Sequence, residues 1–161
     1  MSEQPEEQIQ ELSYDETEEL IGRLAHKLKD EKFDIWLLIS RGGAPLGVML
    51  AHCLNFFELT YFSVRWYDEN DRKMEQPQVL QFPDEALLRG KRVLIIDEVW
   101  HTGDTLTLAK KKVYRAGGIP FVATLHFKNK KSTNEGEPDF YVEKTDVWNK
   151  YFWETIRRRV M

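Results

Sequence analysis

The run Val93-Leu94-Ile95-Ile96-Asp97-Glu98-Val99-Trp100-His101-Thr102-Gly103-Asp104-Thr105-Leu106 carries the densest chemical signal in the chain. An apolar stretch hands over two adjacent carboxylates, and a turn at Gly103 then opens a helical pattern. The first turn of a helix has N–H groups without intrahelical partners and a partial positive charge. Thr102, Gly103, Asp104 and Thr105 can therefore cradle a phosphate, with the two threonine hydroxyls as further donors. Asp97 and Glu98 cannot favour an anion; they suit sugar hydroxyls or Mg²⁺, held directly or through water. An ordinary helix cap, worth about 1 kcal/mol, accounts for Asp104 and Thr105 but leaves the paired acids unexplained. A P-loop nucleotidase also ends a strand in acids, yet it needs G-x-x-x-x-G-K-[ST]. Val48 and Met49 follow the suitably spaced Gly42 and Gly47, which excludes that chemistry.

A second turn, Ser40-Arg41-Gly42-Gly43, follows another apolar run. Its glycines let backbone N–H groups approach an anion, and Arg41 supplies a charged fork.

Both turns need rigid elements behind them. The apolar runs 34–39, 93–96 and 121–127 read as strands buried on both faces, and 59–66 as another strand. Ser13 and Glu16 form a capping box before Leu20, Ile21, Leu24 and Leu28 at helical spacing. A second helix begins near Pro45, and a third spans about 104–116 with Gly117 as its stop. Residues 67–83 form a polar stretch holding at most a short strand at 79–82, residues 128–138 a polar loop, and 140–142 a last short strand. Alternating strands and helices predict an α/β fold with a central parallel sheet of about five strands flanked by helices. In such sheets ligands sit beyond the carboxyl ends of the strands, where both turns fall.

Among 161 residues, 42% are hydrophobic and 12% aromatic, enough for a core and too many for a disordered chain. A net charge of -4 argues against a nucleic-acid partner, whose footprint is basic. The clusters Lys110-Lys111-Lys112 and Arg157-Arg158-Arg159 read as solvated faces. Cys53 stands alone, so neither an intrachain disulfide nor a cysteine zinc cluster can form. The acidic start does not resemble a secretory signal, and His52, Asn55 and Glu58 break the most apolar stretch. A cytoplasmic protein with no membrane contact is expected. Residues 1–12 read as a mobile acidic arm on a single domain, 13–161.

Residues 93–106 resemble the phosphoribosyl-pyrophosphate (PRPP) binding motif of type I phosphoribosyltransferases. The resemblance runs from about Phe33 to Glu154 and is greatest to the compact xanthine-guanine (6-oxopurine) form. It implies that a 6-oxopurine (guanine, hypoxanthine or xanthine) and PRPP give a nucleoside 5′-monophosphate and pyrophosphate, with Mg²⁺ as cofactor. It implies a 5′-phosphate site at Thr102, Gly103, Asp104 and Thr105, and a pyrophosphate site at Ser40, Arg41, Gly42 and Gly43. Asp97 and Glu98 then hold ribose hydroxyls or the metal shell. Lys128 meets the 6-oxo group, and Trp148 stacks on the base within a small C-terminal hood over about 128–161. A lid over residues 66–82 is implied too, with Arg72 and Lys73 as pyrophosphate contacts, and so is a homodimer or homotetramer.

The chain departs from that pattern at His101, where the 6-oxopurine enzymes usually have an aspartate to take the N7 proton. A neutral imidazole can serve as that base. The same departure fits a PRPP- or nucleotide-binding regulator that lost turnover, and an enzyme acting on another base remains a further alternative. Asp104 stands where a neutral or basic residue is more usual, so its carboxylate must turn from the phosphate.

Overall fold

A computed structural model describes residues 7–156 and Val160. The first six residues of the expected arm and the 157–159 arginine cluster lie outside the described residues. Strand β1 (Ile9–Glu11) leads into α1 (Tyr14–Leu28), followed by β2 (Ile35–Ser40), α2 (Gly43–Leu54), β3 (Leu59–Tyr67) and β4 (Lys73–Gln81). A short helix α3 (Glu85–Leu88), β5 (Arg92–Ile96), β6 (Val99–Trp100), α4 (Asp104–Arg115) and β7 (Ile119–Phe127) come next. The chain closes with β8 (Phe140–Lys144), β9 (Trp148–Lys150) and a 3₁₀ turn at Phe152–Glu154.

The main sheet runs β4-β3-β2-β5-β7, with β6 and β8 also on β7, and every pairing is parallel except that of edge strand β4. Its central strands β2 and β5 are apolar on both faces, and both faces are covered. Trp36, Leu38, Leu94 and Ile96 pack with Leu20, Leu24, Leu46 and Leu50 of α1 and α2. The alternate residues Ile35, Leu37, Val93 and Ile95 pack with Leu106, Ala109 and Val113 of α4. The period of two along each strand thus feeds two separate cores. The capping box forms as expected: the Ser13 N–H donates to Glu16 Oε2 at 2.7 Å, and the Glu16 N–H to Ser13 Oγ at 3.2 Å. Gly117 follows the end of α4 at φ +85°, a left-handed turn that suits glycine.

Two expectations are revised. The arm of residues 1–12 is tied down in its described part. Strand β1 pairs with β9, opposing Ile9 to Trp148, and Leu12 is buried. The stretch 66–82 is largely a β-hairpin, since β3 continues to Tyr67 and β4 returns along it from Lys73. The return strand is mostly polar and exposed, and pairing with β3 gives it its extended form. No helix among the described residues is long and apolar enough to cross a membrane.

Candidate active site

The two acids occupy a break in a strand. Strands β5 and β6 both lie along β7 in unbroken register, Ile96 opposite Ala123 and Val99 opposite His126. Asp97 and Glu98 are the two residues between them. Three donors grip the Glu98 carbonyl: the N–H groups of Leu125 and His126, each at 3.1 Å, and Tyr151 Oη at 3.1 Å. The acids are thereby held on the sheet rather than on a free loop.

The Ser40 to Gly43 turn packs directly on them, and the Ser40–Arg41 peptide is cis. A side chain at Gly42 would run into the Glu98 carboxyl, and one at Gly43 into the Ile96 carbonyl. Both glycines are therefore required by close approach. Burial and then the adjacent Glu98 charge push the Asp97 carboxyl well above the usual carboxylate range, partly offset by the Glu98 and Gly43 N–H groups. Arg41, Gly42, Pro45, Glu98, Trp153 and Glu154 line a cleft of about 630 Å³. Burial also raises the Glu154 carboxyl.

A separate depression is lined by Asp97 and by residues 99–106, at the opening of α4. Gly103 sits at φ +88° over the Trp100 ring, where a side chain would clash. The Asp104 carboxylate leaves the turn to accept from Asn134 Nδ2 at 2.8 Å and Lys73 Nζ at 2.9 Å, which lower its pKa. Thr105 Oγ1 accepts from Trp66 Nε1 at 3.0 Å. Lys73 therefore braces the turn after β6, while Arg72 folds back on Asp68 at 3.1 Å. In this structure neither basic residue of the hairpin is bonded to the Ser40 to Gly43 turn.

A third opening, small at about 40 Å³, is lined by Glu98, Val99, Lys128, Trp148, Asn149, Tyr151 and Glu154. Lys128 Nζ lies 4.6 Å from the centre of the Trp148 ring, and the His101 ring meets that indole edge-on at 5.5 Å. Burial and then the Lys128 charge lower the His101 pKa, so its imidazole is neutral near pH 7. Lys128 is fully buried, and its ammonium is bonded to Glu7 at 3.1 Å.

Among the described residues, six buried side-chain polar atoms have no hydrogen-bond partner. Four of them, Glu98 Oε2, His101 Nδ1, Asn149 Nδ2 and Trp153 Nε1, belong to residues lining these openings. Native interiors rarely leave such atoms orphaned, and four of the six described ones gather here.

Sequence reasoning brought together Asp97, Glu98, the two turns, Lys128, Trp148 and His101. It missed Glu7, Asn134 and His126, and it used Tyr151, Phe152, Trp153 and Glu154 only as an aromatic-aromatic-acid ending that supports the base site at Lys128 and Trp148. Glu7 and His126 had no local signal. The Tyr151 hydroxyl bridges the Glu98 carbonyl at 3.1 Å and His126 Nδ1 at 2.7 Å. Tyr151→Phe is expected to leave the buried His126 Nδ1 without a partner and destabilise the fold by about 1–3 kcal/mol, read by urea denaturation. An unchanged midpoint would show that the hydroxyl contributes nothing.

The Phosphoribosyl transferase domain family matches residues 7–155. An adenine phosphoribosyltransferase of Thermotoga neapolitana is 29% identical over 130 residues, 73% of this chain and 75% of that one. A purine phosphoribosyltransferase of Pyrococcus horikoshii superposes with a TM-score of 0.76 at 30% identity, covering 91% of this chain and 93% of that one. A hypothetical protein of Neisseria gonorrhoeae, solved with bound ppGpp, gives a TM-score of 0.77 at 26% identity, with 97% of each chain covered. The chain spans about a third, 32%, of the length of the first curated relatives it matches. With a family match over nearly its whole length and two anion-ready turns meeting at one acid pair, this chain belongs to the phosphoribosyltransferase family.

Proposed function

We propose that the chain transfers the phosphoribosyl group of PRPP to a purine, with a 6-oxopurine (guanine, hypoxanthine or xanthine) as acceptor. The observation that carries this is the acid pair seated between the Ser40 to Gly43 turn and the α4 turn, amid orphaned polar atoms. The Pyrococcus and Thermotoga relatives are named for purine and adenine. Lys128 supports the 6-oxo class, because an ammonium can donate to a carbonyl but cannot accept from adenine's amino group.

In this reading Thr102 to Thr105 bind the 5′-phosphate, and Ser40, Arg41, Gly42 and Gly43 bind the pyrophosphate. Trp148 stacks on the base inside a C-terminal hood. Purine N9 bonds to the ribose anomeric carbon while the bond from that carbon to pyrophosphate breaks. The N7 proton passes to the neutral His101 imidazole. Glu98 Oε2 is buried without a partner beside Asp97, a donor set that fits Mg²⁺, which takes one or two carboxylates plus substrate phosphate. When bound, Mg²⁺ would neutralise the leaving pyrophosphate. Positioning and charge stabilisation supply the rate, without a covalent intermediate on the protein. Assembly as a homodimer or homotetramer belongs to the same proposal.

A second reading, a nucleotide-binding regulator without turnover, is favoured by the Neisseria protein's bound ppGpp. A PRPP-dependent screen over guanine, hypoxanthine, xanthine, adenine and pyrimidines with Mg²⁺ separates the two. Turnover of an oxopurine is expected; PRPP binding with no nucleotide formed supports the regulator. His101→Ala should lower kcat by about 10²–10⁴-fold and remove the acidic limb of the pH profile. Unchanged turnover would dismiss His101 as the base.

A further inference from the structure

The N-terminal segment reaches the proposed base site and leaves a carboxylate there. The Trp148 N–H donates to the Gln8 carbonyl at 2.8 Å, and Leu12 N–H to the Lys150 carbonyl at 2.8 Å, so β1 is laced to the strand that begins with Trp148. One residue before Gln8, Glu7 Oε1 lies 3.1 Å from Lys128 Nζ. That ammonium is itself over the Trp148 ring. The Glu7 side chain is one-third exposed (33%), so the carboxylate keeps an open face, while Lys128, 2% exposed, lines the small opening beside Trp148. The Lys128 hydrogen bond lowers the Glu7 pKa, burial opposes it, and the charges of Lys128 and Lys131 add to the lowering.

We infer that Glu7 reads the base: with Lys128 it forms a donor–acceptor pair that selects guanine among the oxopurines. This rests on the phosphoribosyltransferase reading above. Guanine presents O6 as an acceptor, then N1–H and the 2-amino group as donors. Lys128 meets the first, and the Glu7 carboxylate accepts from the others. Hypoxanthine keeps O6 and N1–H but lacks the 2-amino group. Xanthine places a carbonyl oxygen at position 2, which a carboxylate repels. Adenine reverses the pattern at both positions. A carboxylate that served only to neutralise Lys128 would treat the three oxopurines alike.

The test compares kcat/KM for guanine, hypoxanthine and xanthine in the native chain and in Glu7→Gln. Glutamine keeps the shape, removes the charge and can donate to the xanthine 2-oxo group. The native chain should prefer guanine, then hypoxanthine, then xanthine. Glu7→Gln should shrink the guanine-to-xanthine ratio by about tenfold or more. A parallel change for all three bases, or a native preference for xanthine, overturns the inference. Calorimetric binding of GMP and XMP to both proteins gives the same comparison without turnover. Glu7→Gln should erode a GMP preference, and equal affinities in the native chain would refute the assignment. Absence of nucleotide formation from any base in the native chain speaks against the enzyme reading alone, while the GMP and XMP affinities still judge Glu7.

Discussion

Glu98→Gln should lower kcat/KM by about 10²–10³-fold while leaving the protein folded, the range seen when one preorganised electrostatic contact is lost. Glutamine matches the volume of glutamate, so the packing against Gly42 survives. The grip on the Glu98 carbonyl is backbone-directed and also survives. What disappears is the negative charge at the buried oxygen Oε2. Steady-state rates beside a circular dichroism spectrum measure both parts, and a loss below about threefold would remove Glu98 from the reacting centre.

Asp97→Asn should lower activity as well, and should raise stability at high pH. Burial and the Glu98 charge raise the Asp97 pKa in the folded chain above its ordinary 3.8. Between those two values the native state binds a proton that the unfolded state has released. Stability therefore falls as pH rises through that window, and the deficit persists above it. Asparagine carries no such charge. The variant should be more stable at pH 8 by about 0.5–2 kcal/mol, the usual scale of exchange between function and stability, and should converge with the native chain near pH 3.5. Urea denaturation at the two pH values reads this, and a variant less stable at pH 8 would contradict it.

Trp100→Ala is expected to be the most damaging single change to the fold, at about 3–5 kcal/mol. The ring is 1% exposed and packs edge-on to Phe127 at 6.3 Å. It also forms the floor under Gly103, so its loss opens a cavity directly beneath the α4 turn. Its Nε1 donates to Ser132 Oγ at 3.1 Å, in the loop whose Asn134 holds both the Thr102 carbonyl and the Asp104 carboxylate. Anion affinity at that turn should fall with stability. Trp100→Phe keeps a six-membered ring and loses the pyrrole part with its N–H, so it should lose less, about 1–3 kcal/mol. Equal losses in the two variants would show that the hydrogen bond, not the packed ring, carries the effect.

Much of this architecture was legible residue by residue. The capping box at Ser13 and Glu16, the glycine after α4, and the doubly apolar strands 35–39 and 93–96 are local signals. Each reports how a few consecutive residues satisfy their own backbone or bury their own faces. The two acids and both turns were legible for the same reason, because a strand end and a helix start bring chemistry together within a short stretch of chain. The hairpin over 66–82 escaped, since its return strand is mostly polar and exposed and takes its form from pairing with β3.

The contacts that specify the site were settled only in three dimensions. Glu7 meets Lys128 across 121 positions, Tyr151 meets Glu98 across 53, and Lys73 and Asn134 converge on Asp104 from 31 and 30 positions on either side. Hydrophobic period shows which face of a segment is buried, but not which distant segment covers it. Strand order and the docking of β1 on β9 make that choice, because side chains far apart in sequence meet only after the sheet has assembled.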